Sequence, residues 1–241
     1  MGSLDGQAAL ITGASSGIGR TTALLFAKEG AAVGLLARRG DELEKVAGEI
    51  RGGGGRAAVA PADLADGRAT RAAVAALIQK LGRLDAVVYA AGTNIPQRAL
   101  TVLSAEDWDL LVQANLSGAF HVTQAVLPTM RSQQSGLLIY VSSGAVQRAD
   151  VSGVAYQATK HGMVGLAHAT REEEKGNGIR TTVLFPGLTE TPLLNKRPVP
   201  TPPEVVAKAL QPEDTARACL FVASLPARAR VPELQLLPAG L

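Results

Sequence analysis

Cysteine is almost missing from this sequence. The single Cys219 excludes an internal disulfide framework and a cysteine-built metal site, and it suits a reducing compartment, read here as the cytoplasm. Aromatic residues make up only 3% of the 241 positions, so a core must be packed from Val, Leu, Ile and Ala, as in parallel sheets covered by helices on both faces. No apolar stretch reaches the ~20 residues that a membrane-crossing helix needs. There is no basic run either, and a dispersed net charge of +3 gives no nucleic-acid footprint. Met1 to Gln7 has neither the basic head nor the apolar stretch of a signal peptide, and Gly6 stands where an N-myristoylation signal wants Ser or Thr. His161 and His168 share a helical stretch without a third ligand, so no metal is expected.

What is present is an alternation of short apolar runs and longer amphipathic segments. Strands are expected at Ala8–Thr12, Ala32–Ala37, Ala57–Ala60, Ala86–Ala90, Leu137–Ser142 and Thr181–Phe185, with a weaker one at Glu233–Leu237. Most are continuously apolar, which suits strands buried on both faces. Helices are expected at Ile18–Glu29, Asp41–Arg51, Gly67–Leu81, Ala105–Met130, Gly153–Lys175 and Pro212–Ser224, the fourth headed by a Ser104/Asp107 capping pair. This order predicts an α/β fold: one doubly wound parallel sheet of about seven strands with helices on both faces, forming a single domain over 1–241. Ligands of such sheets sit at the carboxyl ends of the strands. A proline-rich excursion at about 188–211 interrupts the rhythm after the sixth strand, where it reads as a binding loop over that end or as a plain surface loop.

Two motifs carry chemistry. The first strand runs into Thr12-Gly13-Ala14-Ser15-Ser16-Gly17-Ile18-Gly19 and then a helix. Glycines at such a turn let backbone approach a pyrophosphate, and the helix N-terminus offers free N–H groups. The spacing is not that of a Walker A loop. The second motif is Tyr156-Gln157-Ala158-Thr159-Lys160, whose Tyr and Lys share one helix face. An ammonium ~4 Å from the phenol, at an effective dielectric of ~20, supplies about the 4 kcal/mol needed to bring a tyrosine from pKa about 10 towards 7. A phenol so tuned exchanges a proton with a carbonyl or alcohol oxygen near neutral pH.

Together with Asp63, Ala91-Gly92, Asn115, Ser143 and Pro186-Gly187, all in order, these motifs resemble those of the short-chain dehydrogenase/reductase family, in its single-domain branch, over nearly the whole chain. The resemblance implies an oxidoreductase that moves a hydride between a nicotinamide cofactor and a carbonyl or alcohol substrate. It implies Tyr156 as general acid/base, Ser143 rather than Ser142 as the hydrogen-bond partner of the substrate oxygen, and Lys160 on the nicotinamide ribose. Asn115 would hold a water that links Lys160 to solvent. It implies cofactor contacts at Gly13, Ser15, Ser16, Gly17, Ile18 and Gly19, at Asp63, Leu64, Ala91 and Gly92, at Tyr156 and Lys160, and at Pro186, Gly187, Thr189 and Thr191. Tyr89-Ala90 stands where the family often has Asn-Asn or Asn-Ala before Ala-Gly and is expected to be a structural substitution.

Arg38 and Arg39 follow the second strand where an NAD site wants an acid, so NADP(H) is expected to be preferred over NAD(H). The substrate remains open: apolar residues such as Ile95, Ala145 and Leu193 suggest an apolar cleft, while Arg98 and Arg148 are either anchors for an anionic substrate or merely solvated. The long fourth and fifth helices resemble the family's dimer-forming pair, which implies a homodimer or homotetramer. Two other functions fit the same fold: a non-catalytic NADP(H)-sensing or scaffold protein, and an epimerase or dehydratase.

Overall fold

The computed structural model describes residues 2–241. Seven strands form one sheet: β1 (Ala8–Thr12), β2 (Ala32–Ala37), β3 (Arg56–Pro61), β4 (Ala86–Tyr89), β5 (Gly136–Val141), β6 (Ile179–Pro186) and β7 (Glu233–Leu236). Their order is β3-β2-β1-β4-β5-β6-β7, and every neighbouring pair is parallel. Parallel pairing requires crossovers, and the helices α1 (Gly17–Lys28), α2 (Gly40–Gly52) and α3 (Gly67–Leu81) supply the first three. The strands β1, β2, β4 and β5 are buried along their whole length, as their unbroken apolar composition requires.

Two cores flank the sheet. On one face Phe26 of α1, Leu43 and Val46 of α2, and Cys219 and Val222 of α8 (Pro212–Ser224) pack against Ile11, Val33 and Leu35. On the other, Leu77, Val126, Met130 and Met163 pack against Leu10, Leu138 and Val183. The C-terminal strand forms as expected: β7 pairs with β6 in the register Val183↔Glu233 to Pro186↔Leu236.

The long fourth helix is not continuous. It divides into α4 (Ala105–Leu111), a π-helical turn (Val112–Ser117) and α5 (Gly118–Gln133). Ser104 caps α4 as expected, its Oγ accepting from Asp107 N at 3.0 Å. The cause of the π turn lies at Asn115. Its side chain is fully buried and turned away from the helix: Oδ1 accepts from Thr93 N (2.7 Å), and Nδ2 donates to Thr93 O (3.0 Å) and Thr159 Oγ1 (3.2 Å). Widened turns of this kind recur at functional sites.

The excursion after β6 has more order than its prolines suggested. It contains a 3₁₀ segment at Pro192–Lys196 and the short helix α7 (Pro203–Val206). A bridge between Thr189 and Leu210 closes its base, with Leu210 N donating to Leu188 O and Glu190 N to Leu210 O. The excursion is therefore a tied loop whose first half lies over the carboxyl end of the sheet.

Candidate active site

The strand order reverses between β1 and β4, and there a cavity of about 470 Å³ opens at the carboxyl ends of the strands. Gly13, Ser15, Ser16, Gly17 and Ile18 line it from the turn after β1, Arg38 and Arg39 from β2, Asp63 and Leu64 from β3, and Ala91 and Gly92 from β4. Thr191, on the loop after β6, completes the wall from above.

The turn is built for close approach. Gly13 has φ +65, and a Cβ there would lie 2.9 Å from the backbone of Ala91. A Cβ on Gly19 would collide with the carbonyl oxygen of Gly13, so Gly19 serves to pack α1 against the turn and is itself buried below the cavity. Ser16 is the N-cap of α1 but makes no side-chain capping bond, which leaves the first-turn N–H groups facing the cavity. Thr12 Oγ1, buried at the end of β1, accepts from Ala90 N and Ala91 N (3.1 Å each) and clamps β1 to the loop after β4. Arg39 Nη2 donates to Ser15 Oγ (3.0 Å), which joins the second-strand cation to the glycine turn. A glycine cradle, free helix N–H groups and two exposed arginines suit the diphosphate and ribose phosphate of a dinucleotide.

Next to the cavity stand Ser143, after β5, and Tyr156 and Lys160, on α6 (Val154–Glu174), the residues that the sequence implicated in proton transfer. Ser143 ends the β5 segment in extended conformation, and its Oγ accepts from Ala145 N at 3.2 Å. Ser142, by contrast, points into the core, its Oγ donating to Lys160 O at 3.1 Å. The two serines face opposite ways because side chains alternate along an extended chain. The Ser143 hydroxyl acts to lower the Tyr156 phenol's pKa, whereas Ser142 is turned to Lys160 O.

The Tyr156/Lys160 pair departs from the simple electrostatic expectation. Lys160 Nζ donates to Val141 O (2.9 Å) and lies 5.7 Å from the centre of the Tyr156 ring. Burial pulls the Lys160 ammonium down from 10.5 to about 8. Burial also pushes the Tyr156 phenol up to about 12, and the nearby Ser143 hydroxyl and the charge of Arg98 pull only partly the other way. The Lys160 ammonium bonds a strand carbonyl, and burial outweighs the influences that lower the phenol.

Of the remaining residues implicated by the sequence, Asn115 binds Thr93 and Thr159, as above, and a Cβ on Gly92 would lie 3.4 Å from both Asn115 Oδ1 and Lys160 Nζ. The three are thus close neighbours. Pro186, Gly187 and Thr189 lie outside the cavity wall: Thr189 is buried, and its Oγ1 turns back to Gly187 O (3.0 Å). Tyr89 fills the space left by Gly118 and donates to Ala114 O (3.2 Å), which ties β4 to the π turn. Two cavity residues had no signal in the sequence. Thr93 and Lys196 meet across the cavity, Lys196 Nζ donating to Thr93 Oγ1 at 2.6 Å, and only the fold brings residues so distant together.

Doubly wound enzymes hold their nucleotide where neighbouring crossovers part, and this chain has both the crevice and the cradle at that place. It is an oxidoreductase of the class that uses a nicotinamide cofactor. Residues 7–200 match the family model of the short chain dehydrogenases, and the chain belongs to the short-chain dehydrogenase/reductase family. It is 35% identical over 227 residues to a 3-oxoacyl-(acyl-carrier-protein) reductase of Thermotoga maritima, covering 92% of each chain. Its fold superposes on that of a metagenomic short-chain oxidoreductase in complex with NADP, with a TM-score of 0.85, 30% identity and 98% and 99% of the two chains covered. It likewise matches a 3-ketoacyl-(acyl-carrier-protein) reductase from Brucella melitensis complexed with NADH, with a TM-score of 0.88, 30% identity and 98% of each chain covered. Among the described residues, no helix is long and apolar enough to cross a membrane.

Proposed function

We propose that this protein is an NADP(H)-dependent reductase or dehydrogenase that acts on a carbonyl/alcohol pair, with Tyr156 as the general acid in reduction and the general base in oxidation. The observation that carries this reading is the placing of a buried phenol, with the Lys160 ammonium 5.7 Å from its ring centre, beside a cavity formed by the glycine turn and the carboxyl ends of the strands. When bound, the nicotinamide supplies or accepts the hydride. Ser143 orients and polarises the substrate oxygen, and Tyr156 gives it a proton or takes one. Lys160 would hold the ribose hydroxyls of the bound cofactor, and Asn115, whose side chain fixes the loop at Thr93, would hold a water behind Lys160. Thr191, the member of the Pro186–Thr191 segment that reaches the cavity wall, would hold the carboxamide of the bound cofactor. We place the reaction in the cytoplasm and expect two or four copies to assemble; exposed Phe120 on α5 and Val154 on α6 support pairing through those helices.

The test is a screen for oxidation of NADPH by purified protein across ketones, aldehydes and oxo acids. A net, stoichiometric loss of reduced nicotinamide absorbance is expected with at least one class. Tight NADPH binding with no net change for any class would favour a sensing role or an internal, redox-neutral reaction and would overturn the proposal.

Cofactor preference gives a separate prediction. Arg38 and Arg39 are exposed at the cavity rim, and Arg39 is pre-positioned by Ser15, an arrangement suited to a ribose 2′-phosphate. Arg38→Asp should weaken NADPH binding by about ten- to a hundredfold, the value of one charged hydrogen bond, and leave NADH binding nearly unchanged. Fluorescence titration of both cofactors checks this, and equal affinity of the wild type for both would refute the preference.

A further inference from the structure

Arg98 lies on the loop between β4 and α4, and that loop is fixed against the amino end of α6. Asn94 Nδ2 donates to Ser152 O (2.9 Å), and Thr93 is held by Asn115. Gly153, with φ +89, passes so close that a Cβ there would lie 2.7 Å from Arg98 Cβ and 2.9 Å from its Cγ. The arginine's stem therefore packs on backbone three positions before Tyr156, and its charge bears on that phenol. The side chain is not solvated: the residue is 7% exposed. Arg148, the other candidate, is exposed.

The guanidinium is also poorly matched. Among the described residues its one hydrogen bond to protein runs from Nη2 to Lys196 O (3.0 Å), its Nε is buried with no partner, and no carboxylate comes within ion-pair distance. Arginine is rarely so buried unless it is paired, because an uncompensated charge is costly to remove from water. The surroundings do not offset it. Arg197 repels it, Lys196 adds a further cation at the Thr93 hydroxyl, and the carboxylate that acts on it, Asp150, is exposed and accepts from Ser152 N (2.8 Å). Arg98 lies outside the wall of the dinucleotide cavity, so the cofactor phosphates do not account for it.

We propose that Arg98 binds an anionic group of the substrate, so that the compound transformed at Tyr156 carries a carboxylate near its reacting carbon. This rests on the oxidoreductase reading above and narrows it to oxo acids in the reductive direction and hydroxy acids in the oxidative one. The step balances as oxo acid, reduced nicotinamide and a proton giving hydroxy acid and oxidised nicotinamide. The hydride adds to the carbonyl carbon, the Tyr156 proton goes to its oxygen, and the carboxylate is unchanged. A planar carboxylate suits the guanidinium because two parallel N–H donors meet its two oxygens. A substrate acid here would satisfy a charge that the free protein leaves unmatched.

The test compares straight-chain oxo carboxylates with their methyl esters, using NADPH and the purified wild-type, Arg98→Lys and Arg98→Gln proteins. The wild type should prefer acid over ester by about ten- to a hundredfold in kcat/KM, as one charged hydrogen bond provides. Arg98→Gln should erase most of that ratio through the KM of the acid, and Arg98→Lys should restore part of it. An equal loss on acid and ester would make Arg98 a strut between the β4 loop and Lys196 and would overturn the proposal, as would a wild type with no preference. Calorimetric titration of the oxo carboxylate into NADP-loaded protein separates this inference from the one it rests on. Binding that disappears in Arg98→Gln although no protein turns over would sink the oxidoreductase reading and uphold the anion site. Binding that is the same in both would sink the anion site alone.

Discussion

Tyr156→Phe is expected to lower turnover of an accepted carbonyl substrate by about 10²–10⁴-fold, while the protein still folds and binds NADPH within a few-fold of wild type. The ring is buried at the head of α6, so Phe preserves the packing and only the hydroxyl is lost. Ser143 keeps its bond from Ala145 N, so no charged group is orphaned and stability should change by no more than about 1 kcal/mol. The direction of the pH dependence follows from burial. With the phenol pushed up to about 12, the proton needed for reduction is present throughout the neutral range. The tyrosinate needed for oxidation is scarce there and grows with pH. Oxidation of the alcohol should therefore accelerate as pH rises through neutrality, while reduction does not weaken for want of a protonated phenol. Rates in both directions, with fluorescence titration of NADPH, check this. A variant that retains turnover within about tenfold of wild type would remove Tyr156 from the general-acid role.

Much of the fold was legible because each signal was local. The apolar runs from Ala8–Thr12 to Thr181–Phe185 appear as strands within a residue or two, since a strand buried on both faces has little choice of composition. The glycine turn was legible for a similar reason: only Gly accepts the positive φ at Gly13 and Gly17 and the close contact at Gly19. The division of the fourth helix at Val112–Ser117 was not legible. It depends on Asn115 bonding the Thr93 backbone and Thr159, and those partners are remote in sequence. The Tyr156/Lys160 spacing gave the shared helix face correctly but not the electrostatics. Helical geometry sets which side chains are neighbours, whereas the carbonyl of Val141 on a separate strand decides where the ammonium rests. Arg98 shows the same limit. In the sequence it is one of two ordinary arginines, and only the packing of Gly153 and the Lys196 loop around it removes it from water.

Lys160→Met is expected to cost nearly all activity without costing stability at neutral pH. The ammonium is 4% exposed, and burial lowers its pKa from 10.5 to about 8. The unfolded chain holds this proton up to about 10.5 and the folded one only to about 8, so between these values unfolding takes up a proton and stability rises with pH. Below about 8 both states are charged and the burial penalty is present in full, on the order of 3 kcal/mol. Met fills similar volume and carries no charge, so the substitution removes that penalty, but it leaves Val141 O without its donor, at a cost of about 1–3 kcal/mol. The net change at neutral pH is thus between nothing and a gain of about 2 kcal/mol. Raising the pH to 10.5 should shift the balance towards wild type by about 3 kcal/mol, because only wild type recovers the penalty. Other buried groups that titrate late, such as Cys219, contribute equally to both proteins and cancel in the difference. Chemical denaturation of the two proteins at neutral pH and near pH 10.5 measures this difference directly, and parallel stabilities at both would show that the ammonium is not penalised by burial. Stabilities that diverge in this way would mean that Lys160 is held in place at a cost to the fold, next to Gly92, as the proposed role for its ammonium requires.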